Sequence, residues 1–234
     1  MKRNNMVHKS YFLGALVLTM ALSSCKDTKK NEAEQAETEE TTMETKEPFF
    51  KLSLAQWSLN KAIRNDSLDP YTFAEKAKGW GFSGLEYVSA LYYKELEAAN
   101  FSEEAMANFV AKSNAEAAKH GMKNLLIMID NQGDLAVSDE KERNATVENH
   151  KKWVDAAAAM GCHAIRVNLN GETDPEKWKK NSIDGLTKLA TYAKDKNINI
   201  IVENHGGLSS NGALHAEVME AVNMDNCGTL PDFG

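Results

Sequence analysis

The chain has 234 residues, with 27 basic against 34 acidic side chains and a formal net charge of −7. That length is enough for one sizeable core. The acidic balance argues against a nucleic-acid partner, which needs a basic surface, and the three cysteines and six histidines show no spacing typical of structural zinc.

Lys2, Arg3 and Lys9 form a basic start, and Tyr11 to Leu22 is a short apolar run. It is too short to span a bilayer, which takes about 20 apolar residues, and the pattern predicts a secretory signal over 1–24. Leu22-Ser23-Ser24-Cys25 resembles the bacterial lipobox, which implies a diacylated Cys25 and a membrane anchor. Residues 26–47 hold four basic and eight acidic side chains and almost nothing apolar. Such sequence cannot offset its conformational entropy by burial, so 25–48 is expected to be an extended acidic tether. It carries much of the net charge, which therefore says little about the substrate.

From Phe49 onward the chain alternates short apolar strands with amphipathic helices. The predicted strands are Lys51–Trp57, Gly84–Val88, Lys123–Ile129, Ala164–Leu169, Asn197–Glu203 and Cys227–Leu230. Asp69-Pro70 and Asp174-Pro175 pair an N-cap acid with proline at the first helical position. Ser102 caps a third helix. Gly81, Gly121 and Gly161 each follow a helix and precede a strand. Strands recurring every ~30 to 40 residues with helices between them predict parallel βα units. No Gly-rich phosphate loop follows the first strand, where Gln56-Trp57-Ser58-Leu59 stands, so a barrel is favoured over a dinucleotide fold. Six strands and five helices precede Gly234, whereas a closed eightfold barrel takes about 250 residues. The expectation is an α/β (β/α)8 TIM barrel, incomplete over 49–234 and lacking about two βα units, so that this chain is an inactive fragment of an enzyme.

Working residues of such barrels project from the C-terminal strand ends. Alternation puts Glu203 and His205 on one face above Ile201. A carboxylate ending an apolar strand is costly unless paired or metal-bound, and Gly206 and Gly207 let backbone approach a ligand. The other reading is a glutamate that caps the next helix or pairs with an arginine. Asp232 stands at the equivalent height on the next strand, and the two acids suit a hard cation. Arg166 and Asn168 share a face one strand away, suited to hydroxyls or a phosphate. The packed face that carries Val147, Val154 and Ala157 includes His150, read as a satisfied core histidine. His163 falls at the stability end of its strand, and His120 and His215 are read as helical surface residues. Cys162 and Cys227 are separated by one strand, about 10 Å apart at the usual spacing. That is beyond the roughly 7 Å limit of a disulfide, so both are expected as free thiols.

Val202-Glu203-Asn204-His205-Gly206-Gly207 and Leu230-Pro231-Asp232-Phe233-Gly234, with Leu54-Ala55-Gln56-Trp57-Ser58-Leu59, Gly81-Phe82-Ser83-Gly84-Leu85-Glu86 and Gly161-Cys162-His163-Ala164-Ile165-Arg166-Val167-Asn168, resemble the xylose-isomerase-like barrel family of sugar phosphate isomerases and epimerases. The resemblance implies a divalent metal (Mn, Mg, Co or Zn) with Glu203 and Asp232 as its first two ligands, and a later His and Glu beyond Gly234. It implies Glu203 as an acid or base in proton transfer through an enediolate. Around it, His205, Arg166, Asn168, Glu86, Gln56 and Trp57 are candidates for binding a small carbohydrate in the periplasm or at the cell surface. A lyase or hydrolase on 3-keto-glycosides and a non-catalytic carbohydrate-binding barrel are the alternatives. A DNA-repair endonuclease shares the superfamily, but the charge disfavours it.

Overall fold

The computed structural model describes residues 49–233. The expected signal, the lipidation site Cys25 and the tether lie outside the described residues. Six strands form one parallel sheet in chain order: β1 (Ser53–Ala55), β2 (Gly84–Val88), β3 (Lys123–Met128), β4 (Ala164–Val167), β5 (Asn199–Glu203) and β6 (Cys227–Leu230). Sequential parallel order with a helical crossover at each step is the winding of a (β/α) barrel, here a partial one.

The helices are α1 (Asn60–Arg64), α2 (Phe73–Gly79), α3 (Tyr93–Ala98), α4 (Glu103–Lys119), α5 (Glu140–Ala159), α6 (Pro175–Lys194) and α7 (Gly212–Val222). Two more occur than the periodicity predicts, α1 and α3. Each is shorter than two turns and extends a 3-10 turn, so neither has the length to show a 3.6-residue pattern. The expected caps are formed: the side chains of Asp69, Ser102 and Asp174 accept from the backbone N–H of Tyr71, Ala105 and Lys177. Asp139 caps α5 in the same way, accepting from Glu142 at 2.8 Å.

Alternation along the strands separates two faces. Leu85, Tyr87, Ile127, Ile165, Val167, Ile200 and Val202 are buried in the apolar core, while Glu86, Met128, Arg166 and Glu203 face the cavity at the C-terminal strand ends. Phe73, Phe109, Trp153, Trp178 and Leu186 bring helices α2, α4, α5 and α6 into that core. Burying side chains of this size stabilises by about 1.5–3 kcal/mol each.

The first strand is shorter than predicted. At Gln56 the backbone turns into a 3-10 helix, Gln56–Leu59, and the amide is fully buried. It donates to Tyr92 Oη at 2.8 Å and to the Pro70 carbonyl at 3.0 Å, and accepts from Val88 N–H at 3.1 Å. Gln56 thus ties β1 to β2 and does not wall the cavity, contrary to the sequence expectation. Cys162 and Cys227 are free, with burial pushing their thiols up to about 12 and about 11. His215 is buried rather than on the surface; its Nδ1 lies 3.2 Å from the Ser209 carbonyl. His163 is exposed at the entrance to β4.

Candidate active site at the strand ends

A cavity of about 640 Å³ opens at the C-terminal ends of the strands. Seven of the eight candidate residues, Trp57, Glu86, Arg166, Asn168, Glu203, His205 and Asp232, line it, and Gln56 does not. Parallel register produces this convergence. Met128 pairs with Arg166, Arg166 with Ile201, and Glu203 with Leu230, so strand ends of similar height present side chains to one space.

Glu203 is the centre of the arrangement. It is 7% exposed, and both carboxylate oxygens face nitrogen. Arg166 Nε lies 2.8 Å from Oε2, and His205 Nδ1 lies 2.9 Å from Oε1. The Arg166 contact is an ion pair without an aligned hydrogen bond, because its buried Nε–H is not directed at any acceptor. Arg166 Nη1 reaches Asp130 Oδ1 at 2.8 Å, and Asn168 donates to the same oxygen at 3.3 Å. One guanidinium therefore bridges the acids that end β3 and β5. Asn168 Oδ1 is buried without a partner. Unsatisfied polar atoms are rare in folded proteins and call for a local explanation; here two meet at one site.

Glu86 stands farther along the floor, accepting from Ser53 Oγ. Trp57 is 44% exposed at the rim, with the Arg64 guanidinium 4.6 Å from its ring centroid. His205 and Asp232 are exposed; Asn204 fastens the Asp232 backbone, donating to its carbonyl at 2.9 Å and accepting from its N–H at 2.7 Å.

Three contributors escaped the sequence reading. Asp130 directly follows the predicted strand Lys123–Ile129, and the same strand-end rule that selects Glu203 selects it. Gln132 lies two residues on, its amide donating to Tyr93 Oη at 2.8 Å. The third, His150, is buried as expected, but it also lines the cavity.

The acids meet the implied metal only in part. Glu203 and Asp232 are hard oxygen donors of the right chemistry. Among the described residues, however, no three His, Cys, Asp or Glu side chains converge as a metal site, and both Glu203 oxygens already face nitrogen donors. The described residues supply two candidate ligands and not a closed set.

In parallel βα barrels the working residues lie at the C-terminal strand ends, which is where this partial barrel places its acids, an arginine and an asparagine. The family model described as the xylose isomerase-like TIM barrel matches residues 74–234, and the chain belongs to that family. Solved structures similar to it include the IolI protein with a bound zinc atom (20% identity, TM-score 0.58, 77% of this chain and 62% of that one). D-psicose 3-epimerase in the presence of D-fructose is similar over 78% of this chain and 63% of its own (16% identity, TM-score 0.59). The 3-keto-D-glucoside 4-epimerase YcjR of E. coli is similar over 68% and 62% (15% identity, TM-score 0.54). The chain thus spans less than two thirds of the length of these structures. A sequence comparison with curated proteins finds no match.

Proposed function

We propose that the protein is a sugar isomerase or epimerase that moves a proton at the carbon beside a carbonyl, through an enediolate. The observation that carries this reading is Glu203: a buried carboxylate, held from both sides by Arg166 and His205, facing a cavity of about 640 Å³. Glu203 takes or returns the proton at carbon. Arg166 and His205 fix the two carboxylate oxygens so that the acting atom stays in place, and positioning of this kind is a large share of enzymic rate. Asp130, itself held by Arg166 and Asn168, accepts from substrate hydroxyls. Glu203 and Asp232 would hold a divalent cation (Mn, Mg, Co or Zn), which when bound polarises the substrate carbonyl; the described residues do not complete its ligand set.

The epimerase neighbours point to a ketose or a 3-keto-glucoside as the substrate class. The test is exchange of the carbon-bound proton with deuterium oxide, followed by NMR, for D-fructose, D-psicose and a methyl 3-keto-glucoside with Mn²⁺ present. Exchange with formation of the epimer or isomer is expected, and it would overturn the expectation from the sequence that these 234 residues are an inactive fragment. Glu203→Gln is expected to lower kcat/KM by about 100- to 10,000-fold. Cleavage of the keto-glycoside without epimer would instead support a lyase or hydrolase. Binding that EDTA leaves unchanged, with no exchange, would mark a carbohydrate-binding barrel.

We also propose that the protein is exported and anchored through a lipid on Cys25, which rests on the basic start, the short apolar run and Leu22-Ser23-Ser24-Cys25. Cys25→Ser is expected to move the protein from the membrane to the soluble fraction, and retention in the membrane would refute the anchor.

A further inference from the structure

His150 has a chemical state that packing alone does not require. It sits on the inner face of α5 between Thr146 and Trp153, all three buried, and is itself only 3% exposed. Its Nδ1 lies 2.8 Å from the Thr146 carbonyl oxygen, one turn back along the helix. A carbonyl only accepts, so Nδ1 carries the hydrogen. Burial lowers the ring's pKa to about 4, so the imidazole is neutral at physiological pH. The lone pair of the neutral ring is therefore on Nε2.

Nε2 has no partner among the described residues, yet it is not one of the sealed, unpaired atoms of the core. His215 provides the contrast: its Nδ1 is likewise held by a carbonyl, but its Nε2 is both unpaired and cut off from water. The small exposed edge of His150 opens into the cavity that holds Glu203, Asp130 and Arg166. A nearly buried ring thus presents one fixed hydrogen-bond acceptor to that space.

The loop that frames this edge is packed tightly. At Gly133, φ is +97°, and a Cβ there would fall 2.3 Å from Thr146 Oγ1. The backbone entering the cavity wall therefore rests directly on the residue whose carbonyl sets the imidazole tautomer.

Resting on the sugar-enzyme reading above, we infer that His150 Nε2 accepts a hydrogen bond from a substrate hydroxyl on the β3 side of the cavity. A neutral acceptor recognises a hydroxyl donor and gives nothing to a group that only accepts, so this contact selects sugars that bear a hydroxyl at the position it reaches. His150 binds and orients; proton transfer remains with Glu203.

The full chain labelled with 15N-histidine tests this by long-range 1H–15N correlation, with the His150 signals identified by their loss in His150→Gln. Before any ligand, the spectrum is expected to show Nδ1–H and a bare Nε2. Addition of D-fructose, D-psicose or a methyl 3-keto-glucoside is expected to shift Nε2 for whichever sugar calorimetry shows to bind. In kinetics with that sugar, His150→Phe, which keeps an aromatic ring and drops the acceptor, is expected to raise KM roughly ten-fold with a smaller change in kcat. An Nε2–H tautomer overturns the inference, as does calorimetric binding that leaves the His150 signal in place. A shift on adding Zn²⁺ alone also overturns it, in favour of a metal ligand. If none of the three sugars binds, the proposed function falls and takes this inference with it.

Discussion

The two flanks of the cavity are built to different standards. On the β3 side, Asp130 N–H donates to Ser89 Oγ at 3.0 Å, its carbonyl accepts from Tyr93 Oη, and Gln132 donates to the same tyrosine. Gly133 presses on Thr146, and a Cβ at Gly185 would fall 2.4 Å from the Leu135 carbonyl oxygen, so α6 also clamps this loop. On the β5 side, His205 and Asp232 stand in water, and a Cβ at Gly206 would meet nothing within 4 Å. Close backbone contacts make a rigid wall, and a loop with few buried contacts opens more easily. On the proposed function, the β3 flank would read the shape of a bound sugar, while on the β5 flank the loop beyond the clamped Glu203 would adjust around it.

Arg166 joins the flanks, so its replacement carries the largest expected effect. Arg166→Met keeps the apolar stem and removes the charge that faces both Asp130 and Glu203. Breaking a buried pair by removing one partner costs about 3–5 kcal/mol, and a loss near the lower figure is expected in urea unfolding, because the cavity lets water reach Asp130. A loss below about 1 kcal/mol would mean that the flanks are not coupled through this side chain.

The next effect belongs to the β3 flank and is read through pH. His150 has a folded pKa lowered from 6.5 to about 4 by burial. Between those values the unfolded chain takes up a proton that the folded ring refuses. Stability is therefore complete above about pH 6.5 and is lost as pH falls toward 4, by about 3 kcal/mol. Burial lowers the pKa of His215 as well, so His150→Phe is expected to flatten the slope of stability against pH and not to abolish it. Equal slopes in the two proteins would show that His150 is not held neutral by its surroundings.

The same contrast explains what the sequence reveals. Strands β2 and β6 match the predicted ranges because Gly, Pro and short apolar runs mark them locally, and Glu203 is legible because an acid closing an apolar strand is conspicuous. Asp130 obeys the same rule but is followed by a polar loop with no pattern of its own. His150 falls on the helical period of the core, and periodicity cannot tell core from cavity when both lie under one helix face. Only the path of the loop from Asp130 to Asp139 leaves its edge open. Gln56 fails for the opposite reason: its place at a strand end suggests a ligand, but the 3-10 turn rotates the amide into the space between β1 and β2. Each miss depends on where a connection runs, which is a tertiary property.

The smallest effect on stability is expected at His205, and it tests the comparison most directly. His205 meets Glu203 at 2.9 Å, but its side chain is 56% exposed. An exposed pair of this kind contributes about 0–1 kcal/mol, and in a chain of this size 1 kcal/mol moves Tm by only about 2–4 °C. His205→Ala should therefore leave Tm within about 2 °C of the parent. Its consequence should appear in rate, because Glu203 loses the contact that fixes Oε1 while Arg166 still holds Oε2. A fall in kcat of about ten-fold, with KM nearly unchanged, is expected for a group that orients the acting carboxylate. If instead Tm drops by several degrees, the β5 flank is as tightly built as the β3 flank. The division between a rigid reading wall and an adjustable reacting wall would then have to be abandoned.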